Sequence, residues 1–405
     1  MCSPVRARRL ACAALIVLCA PAHAGPLEID LPTAITRARD HAPGAVVARA
    51  RIGEAEAHRV GAGVRFTQNT ELQIGGGRRF GDPRSLAIQG QLTQPLELTR
   101  REPRVRAADA EIDHAKATSE VELRALSFEV TNLFYEARFA DLDVELAQRN
   151  LDVATRTADA ADRRRKAGDI TDLDVNLAKI ALGRARSTVS AAQAERARAI
   201  GKLAALIGAR PDDAIRLTGE LRPPVITVEA LRAGPRAELR ALEADARAAR
   251  AEHALAIANG RPDLGLWAGY QLDEGDAILL GGVTITLPLW SRARGAKAVA
   301  RAKERRAELE RAAVMIVASR QVVDAFEAYT RAREAVEVFD RDVVPTLADS
   351  EKLLERSIET GQIAINAYLV ARQQVLDGRR EHLERQLQLA KAAATARFVA
   401  GVTLP

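Results

Sequence analysis

Two glycine turns, Gly168 in "RKAGDITDLDV" and Gly361 in "ETGQIAINAYL", sit between long charged, helix-patterned runs 193 residues apart. Pro95 in "QLTQPLEL" and Pro288 in "VTITLPLW" keep the same spacing of 193, and so do Gly208 in "AALIGA" and Gly401 in "RFVAGV". Three landmarks in one register, with no net insertion between them, mark a tandem repeat, so the fold must be buildable from two copies of one unit. Upstream the register slips by one, with "ARDHAPGAVVARAR" around Pro43 resembling "ALRAGPRAELRALE" around Pro235. Each unit reads as helix, two strands, long helix, turn, helix. The first unit spans 25–209, a linker 210–223, and the second unit 224–405.

The long helices follow from what is absent as well as present. No proline lies between Pro103 and Pro211, and Val130, Leu133, Phe134 and Ala137 recur at three- and four-residue spacing among Arg, Glu, Ala and Gln. A helix from about Arg104 to Arg165 would run roughly 90 Å, with a stack of shorter helices as the open alternative. Pro345 in "DVVPTL" predicts a kink in the second long helix, where the first unit has Asp152.

The strands alternate, at about 69–77 and 85–96 in the first unit and about 263–271 and 278–288 in the second. One face of this pattern carries Leu72, Ile74, Leu86, Ile88, Leu92, Leu264, Leu266, Tyr270, Val283, Ile285 and Leu287. The stretches "RRFGDPRS" and "LDEGDA" supply the hairpin turns. Such a sheet could pack on helices in a soluble protein, but the neighbouring helices are alanine-rich and narrow-striped, with little bulk to cover it. If the apolar face meets lipid instead, every strand edge must be paired. Four strands are too few to close a barrel, since about eight is the smallest, so copies of the chain would have to combine.

The first residues read as an export signal: Arg6, Arg8 and Arg9, an apolar run from Leu10 to Ala20, and the small-x-small site Ala22-His23-Ala24, giving a signal peptide over 1–24 and a mature chain from Gly25. Cys2, Cys12 and Cys19 all lie inside it, so neither disulfides nor thiolate ligands are expected in the mature chain. Cys19 as a lipidation site is disfavoured by the bulky Leu18 before it. The formal net charge of +6 falls to +3 without the three signal arginines, which removes the basis for a nucleic-acid partner. After residue 24 no run of about 18 apolar residues occurs. An exported chain of this kind is periplasmic, secreted, or inserted through β-strands.

Chemistry-bearing clusters are not evident. The histidines at 23, 41, 58, 114, 253 and 382 are scattered, and no metal-ligand spacing, nucleophile elbow, phosphate loop or dinucleotide fingerprint occurs. The expectation is a chain that is no enzyme, with no cofactor and no metal. The glycine turns stand apart: Gly168 suits the left-handed end of a helix, and Asp169, Thr171 or Asp172 can cap the next one.

In this order and register the chain resembles the TolC family of trimeric outer-membrane efflux channels. The resemblance covers the opening "LPTAITRARDHAPG", the doubled helix-hairpin-helix unit, the strand ends "QPLEL" and "LPLW", and both glycine turns. "PLELTRREPRVRAADAEI" is most similar to the branch that works with heavy-metal resistance-nodulation-division pumps. The resemblance implies a mainly α fold with a small β part, in which a homotrimer forms a twelve-stranded outer-membrane β-barrel continued by a long periplasmic α-helical barrel. It implies that Gly168, Asp169, Ile170, Thr171, Gly361, Gln362, Ile363 and Ala364 form the periplasmic tip that docks an adaptor protein, a membrane fusion protein. Asp174 falls where relatives carry a pore-constricting carboxylate, whereas Ala367 and Val370 stand at second-unit positions that are acidic in relatives. The implied function is a passive exit channel, perched in the outer membrane of a Gram-negative bacterium and fed by an inner-membrane pump, with metal cations as cargo. Drug or protein export competes with metal export, and a soluble periplasmic coiled-coil adaptor or scaffold is the rival class.

Overall fold

The structure, a computed structural model, describes residues 27–78, 80, 86–227, 236–273, 276–290 and 292–402. The expected signal segment, its cleavage point at Gly25, the three cysteines and Pro235 lie outside the described residues.

The elements of the first unit are β1 (Leu27–Ile29), α1 (Leu31–His41), α2 (Pro43–Gly63), β2 (Glu71–Arg78), β3 (Leu86–Leu96), α3 (Arg101–Ala167) and α4 (Asp172–Leu206). After β4 (Ile215–Leu217), the second unit contributes α5 (Ala237–Ala258), β5 (Asp263–Asp273), β6 (Asp276–Thr286), α6 (Arg294–Asp342), α7 (Val344–Glu359) and α8 (Ile365–Ala400). The stretch 210–223, expected as a linker, therefore holds a strand. β4 pairs in parallel with β1, Leu27 opposite Ile215 and Ile29 opposite Leu217.

α3 is one unbroken helix of 67 residues, about 100 Å long. Pro103 sits in its first turn, where the missing N–H interrupts no intrahelical bond. The matching stretch of the second unit breaks at Val343 (φ −103°, ψ −47°), two residues before Pro345, so α6 and α7 are separate. Four left-handed glycines end the four long hairpin helices: Gly168, Gly208, Gly361 and Gly401 have φ of 88°, 64°, 72° and 84°. At each, the next amide reaches back to a carbonyl five residues earlier, as in Asp169 N to Arg164 O (2.9 Å) and Val402 N to Arg397 O (3.0 Å).

The main core lies partway along α3, between the sheet and the glycine turn. There Val130, Phe134, Tyr135, Ala137 and Ala140 of α3 meet Ile29, Leu31, Ala34, Ile35 and Ala38, together with Leu203, Ile207, Leu217 and Leu221. Away from this level the helix contacts are thin. They rest largely on alanine, as in the cluster of Ala246, Ala249 and Ala307, which lets long helices lie close along their length.

Candidate functional site

The four long strands form one antiparallel sheet in the order β2-β3-β5-β6, so the two units join through β3 and β5. Directly opposed residues share a face. The register places Leu72 beside Leu92 and Leu92 beside Ala268, Ile74 beside Gly90 and Gly90 beside Tyr270, Leu264 beside Ile285, and Leu266 beside Val283. Leu86, opposite Arg78, and Ile88, opposite Leu272, continue this face, and Leu287 follows it just past the end of β6.

Helices do not cover this face. Ile74 is 75% exposed and Leu279, opposite Tyr270, 81%, and none of the packed clusters contains a residue of these four strands. The other face is more polar and glycine-rich, with Gln73, Gln89, Gln91, Thr93, Gln271 and Thr284, although Ile278 and Leu280 also lie on it. Its charged residues are Glu71, Asp263, Asp273 and Asp276, and among the described residues it has no lysine or arginine. Trp267 stands on this polar face over Gly282, whose missing side chain leaves room for the indole. Trp290, just past β6, is 90% exposed.

Below the sheet a set of arginines fastens strands to helices. Arg104 donates to Ala62 O (3.0 Å) and Val64 O (2.8 Å), and Arg101 to Gly63 O (3.3 Å), satisfying the open carbonyls at the end of α2. Arg104 also pairs with Glu97, which accepts a second hydrogen bond from Thr67. Burial pushes the Glu97 carboxyl up, but the hydrogen bonds from Thr67 and Arg104 and the nearby guanidinium charges outweigh it and hold the group below its ordinary value. Arg100 reaches across to Asp263 at 2.6 Å, tying the first unit's helix to the second unit's strand. At the corresponding second-unit junction, Arg292 and Ala293 adopt positive φ (41° and 54°). Gly260 is required there, because a Cβ would lie 2.7 Å from Arg292 O.

At the far end of α3 the first turn is heavily braced. Thr171 caps α4: its Oγ1 accepts from Asp174 N (3.2 Å), while the Asp174 carboxylate accepts from Thr171 N (3.1 Å) and Thr171 Oγ1 (2.8 Å). Arg165 Nε donates to Asp172 Oδ1 at 2.5 Å across the turn. That hydrogen bond and the guanidinium charge hold the exposed Asp172 carboxyl below its ordinary range. Ile170 packs on Ala158, Ala161, Val175 and Ile365, while Asp169 is exposed.

The second turn is barer. Gly361 is left-handed and Gln362 N bonds Ser357 O at 3.1 Å, but Ala364 at the cap of α8 offers no side-chain acceptor. Ile363 packs toward Leu354 and Tyr368. The sequence singled out the glycines and the capping stretch. It gave no sign of the Arg165–Asp172 pair or the junction arginines, whose partners are distant in space until the chain folds; Trp290 was open to notice, standing directly after the strand pattern. Among the described residues no helix is long and apolar enough to cross a membrane, which says nothing of β-strands.

A four-stranded sheet with a bare apolar face is thus joined to helical hairpins reaching some 100 Å away. Residues 47–209 match the family model for the outer membrane efflux protein. Solved structures share the fold over nearly the whole chain. VceC of Vibrio cholerae has a TM-score of 0.73 at 21% identity, covering 92% of this chain and 96% of its own. The outer-membrane channel OprN has a TM-score of 0.71 at 24% identity, covering 92% and 90%. A membrane protein from Pseudomonas aeruginosa has a TM-score of 0.74 at 21% identity, covering 91% and 93%. No curated protein sequence matches the chain. The chain is similar to the outer membrane efflux proteins by sequence over residues 47–209, and it shares the fold of these solved structures over nearly its whole length.

Proposed function

We propose that three copies of this chain form the exit duct of a tripartite efflux system, with the barrel in the outer membrane of a Gram-negative bacterium and the hairpins in the periplasm. The observation that carries this reading is the sheet. Its apolar face is uncovered, and β2 and β6 are edges without a partner among the described residues, an arrangement that lipid tolerates only when the edges close. Three four-stranded sheets supply twelve strands, enough for a barrel. Strands of 11 residues, tilted by about 40°, rise roughly 27 Å, close to the ~25 Å apolar band of outer-membrane barrels. In α6 the exposed Val314 and Val317, three residues apart and so on one side of the helix, supply an apolar contact for the neighbouring copy.

The tip residues Gly168, Asp169, Ile170, Thr171, Gly361, Gln362, Ile363 and Ala364 then meet the periplasmic adaptor, and an inner-membrane pump of the resistance-nodulation-division type supplies the energy. Asp174 contributes one carboxylate per copy near the axis. A metal-cation cargo is the reading carried over from the resemblance, to which the sheet face adds Glu71 and Asp276, while its Asp263 is paired with Arg100. Fractionation of the expressed mature protein with crosslinking, followed by single-channel recording, tests this. An outer-membrane trimer with cation-preferring conductance is expected; a soluble monomer would overturn the reading.

A further inference from the structure

The two places where a strand passes into a long helix correspond in the 193-residue register, and they differ in charge. Arg101 and Arg104 of the first junction match Arg294 and Lys297 of the second, but Glu97 and Glu102 match Trp290 and Gly295. In the first junction Glu97 pairs with Arg104 and Glu102 with Arg106. In the second, neither 253–262 nor 287–303 contains an aspartate or glutamate, although these stretches carry Arg261, Arg292, Arg294 and Lys297. The carboxylates nearest in sequence are taken: Asp263 by Arg100 (2.6 Å), Glu252 by Lys303 (2.8 Å) and Glu304 by His253 (2.8 Å). Glu71, also at this end of the sheet, stands on the opposite edge strand. Arg261, Arg292, Arg294 and Lys297 therefore have no carboxylate partner among the described residues.

These cations gather at the rim of the sheet. A Cβ on Gly260 would lie 2.5 Å from Lys297 Nζ and 2.7 Å from Arg292 O, so the ammonium group and the turn at Arg292 converge beside Arg261. Asp263 opposite Thr286 is the end pair of β5 and β6 on the helix side, which puts the cluster directly below the apolar face. The exposed Leu287, Leu289 and Trp290 fill the interval. Water satisfies a lone exposed arginine, but like charges gathered without an acid repel one another, and a bound anion relieves that repulsion.

We propose that the second-unit junction is a binding site for the phosphodiester of an anionic phospholipid, held by Arg292, Arg294 and Lys297 with Arg261 alongside, its acyl chains lying on the apolar sheet face above. The cations begin where the apolar surface ends, so one molecule that joins a phosphate to hydrocarbon satisfies both, whereas a free anion leaves the leucines bare. An exposed tryptophan between them suits the headgroup level, where amphipathic rings collect, and clustered Lys and Arg at that level select anionic lipid. The first junction, neutralised by its own glutamates, takes no such lipid. The inference rests on the exit-duct reading, which puts the sheet in a membrane, and adds a lipid partner to it.

The test uses the full-length mature chain as the detergent-solubilised assembly, with lipid retention followed by native mass spectrometry. Dioleoyl phosphatidylglycerol and dioleoyl phosphatidylcholine, which share acyl chains and a phosphate but differ in net charge, are titrated in parallel. Phosphatidylglycerol is expected to be retained at about ten-fold lower concentration, saturating at one lipid per copy. Arg294→Gln with Lys297→Gln should lose that preference. Arg320→Gln with Arg331→Gln, which removes the same charge from exposed sites further along α6, should keep it. If the first double variant does not assemble, the exposed Arg294→Gln alone decides, and its preference should fall. Equal retention of the two lipids, or a preference that these substitutions leave unchanged, overturns the proposal. Displacement of the lipid by an equal concentration of glycerol 1-phosphate overturns it too, marking a small-anion site. Single-channel conductance of the same samples separates the two readings. An assembly that conducts without preferring phosphatidylglycerol overturns the lipid site alone, and one that forms no pore overturns the exit-duct reading and the site with it.

Discussion

Thr171 and Asp174 cap α4 together, and Asp174 is also the acidic side chain proposed for the pore. The two roles separate by substitution. Thr171→Ala removes the capping hydroxyl but keeps the charge, and should cost about 1 kcal/mol, read as lowered thermal stability with cation preference intact. Asp174→Ala loses both; if reversal potentials show the same cation preference as the parent, the assignment of Asp174 to the constriction fails. Asp172 gives a pH dependence. Because Arg165 depresses its carboxyl in the folded state, the bridge's contribution is complete above the unfolded value of about 3.9 and fades as pH falls through the lower folded value. Hydrogen exchange at the amides of Gly168 to Thr171 should therefore accelerate only below about pH 3.9, and Arg165→Gln should abolish that acid step. The turn glycines were legible in the sequence because a left-handed helix end has one preferred residue. Arg165 and Asp172 were not, since they sit on different helices and meet only after the turn closes.

At the scale of elements, α3 shows how much a missing proline and a steady apolar spacing determine. The uninterrupted helix was readable, and so was the break near Pro345, because a missing amide proton acts locally. The pairing of β1 with β4 was not readable, since three-residue strands carry too little pattern to announce a partner that far along the chain. Phe134, 2% exposed in the core that this pairing helps to close, should cost about 3–5 kcal/mol when changed to Ala, measured by denaturant unfolding. Gly260→Ala should also destabilise, since its Cβ would collide with the Arg292 carbonyl and the Lys297 side chain. A melting temperature equal to the parent's would show that this junction is looser than described.

For the whole molecule, the decisive surface is the sheet face that nothing among the described residues covers. Leu279→Arg should cost about 2–4 kcal/mol if that position lies near the bilayer midplane, and the variant trimer should be depleted from the outer-membrane fraction. The same change on a sheet facing water would cost almost nothing. The sequence alone indicated the long proline-free helix, the strand alternation and the turn glycines, because each follows from local periodicity or a single residue's backbone preference. Only the tertiary structure decided the strand order β2-β3-β5-β6, the arginine junction, the core between β1, β4 and α3, and the difference between a braced first turn and a bare second one. Those depend on which surfaces meet, and in alanine-rich helices many registers bury similar area, so the choice falls to a few large side chains and paired charges that only the folded chain brings together.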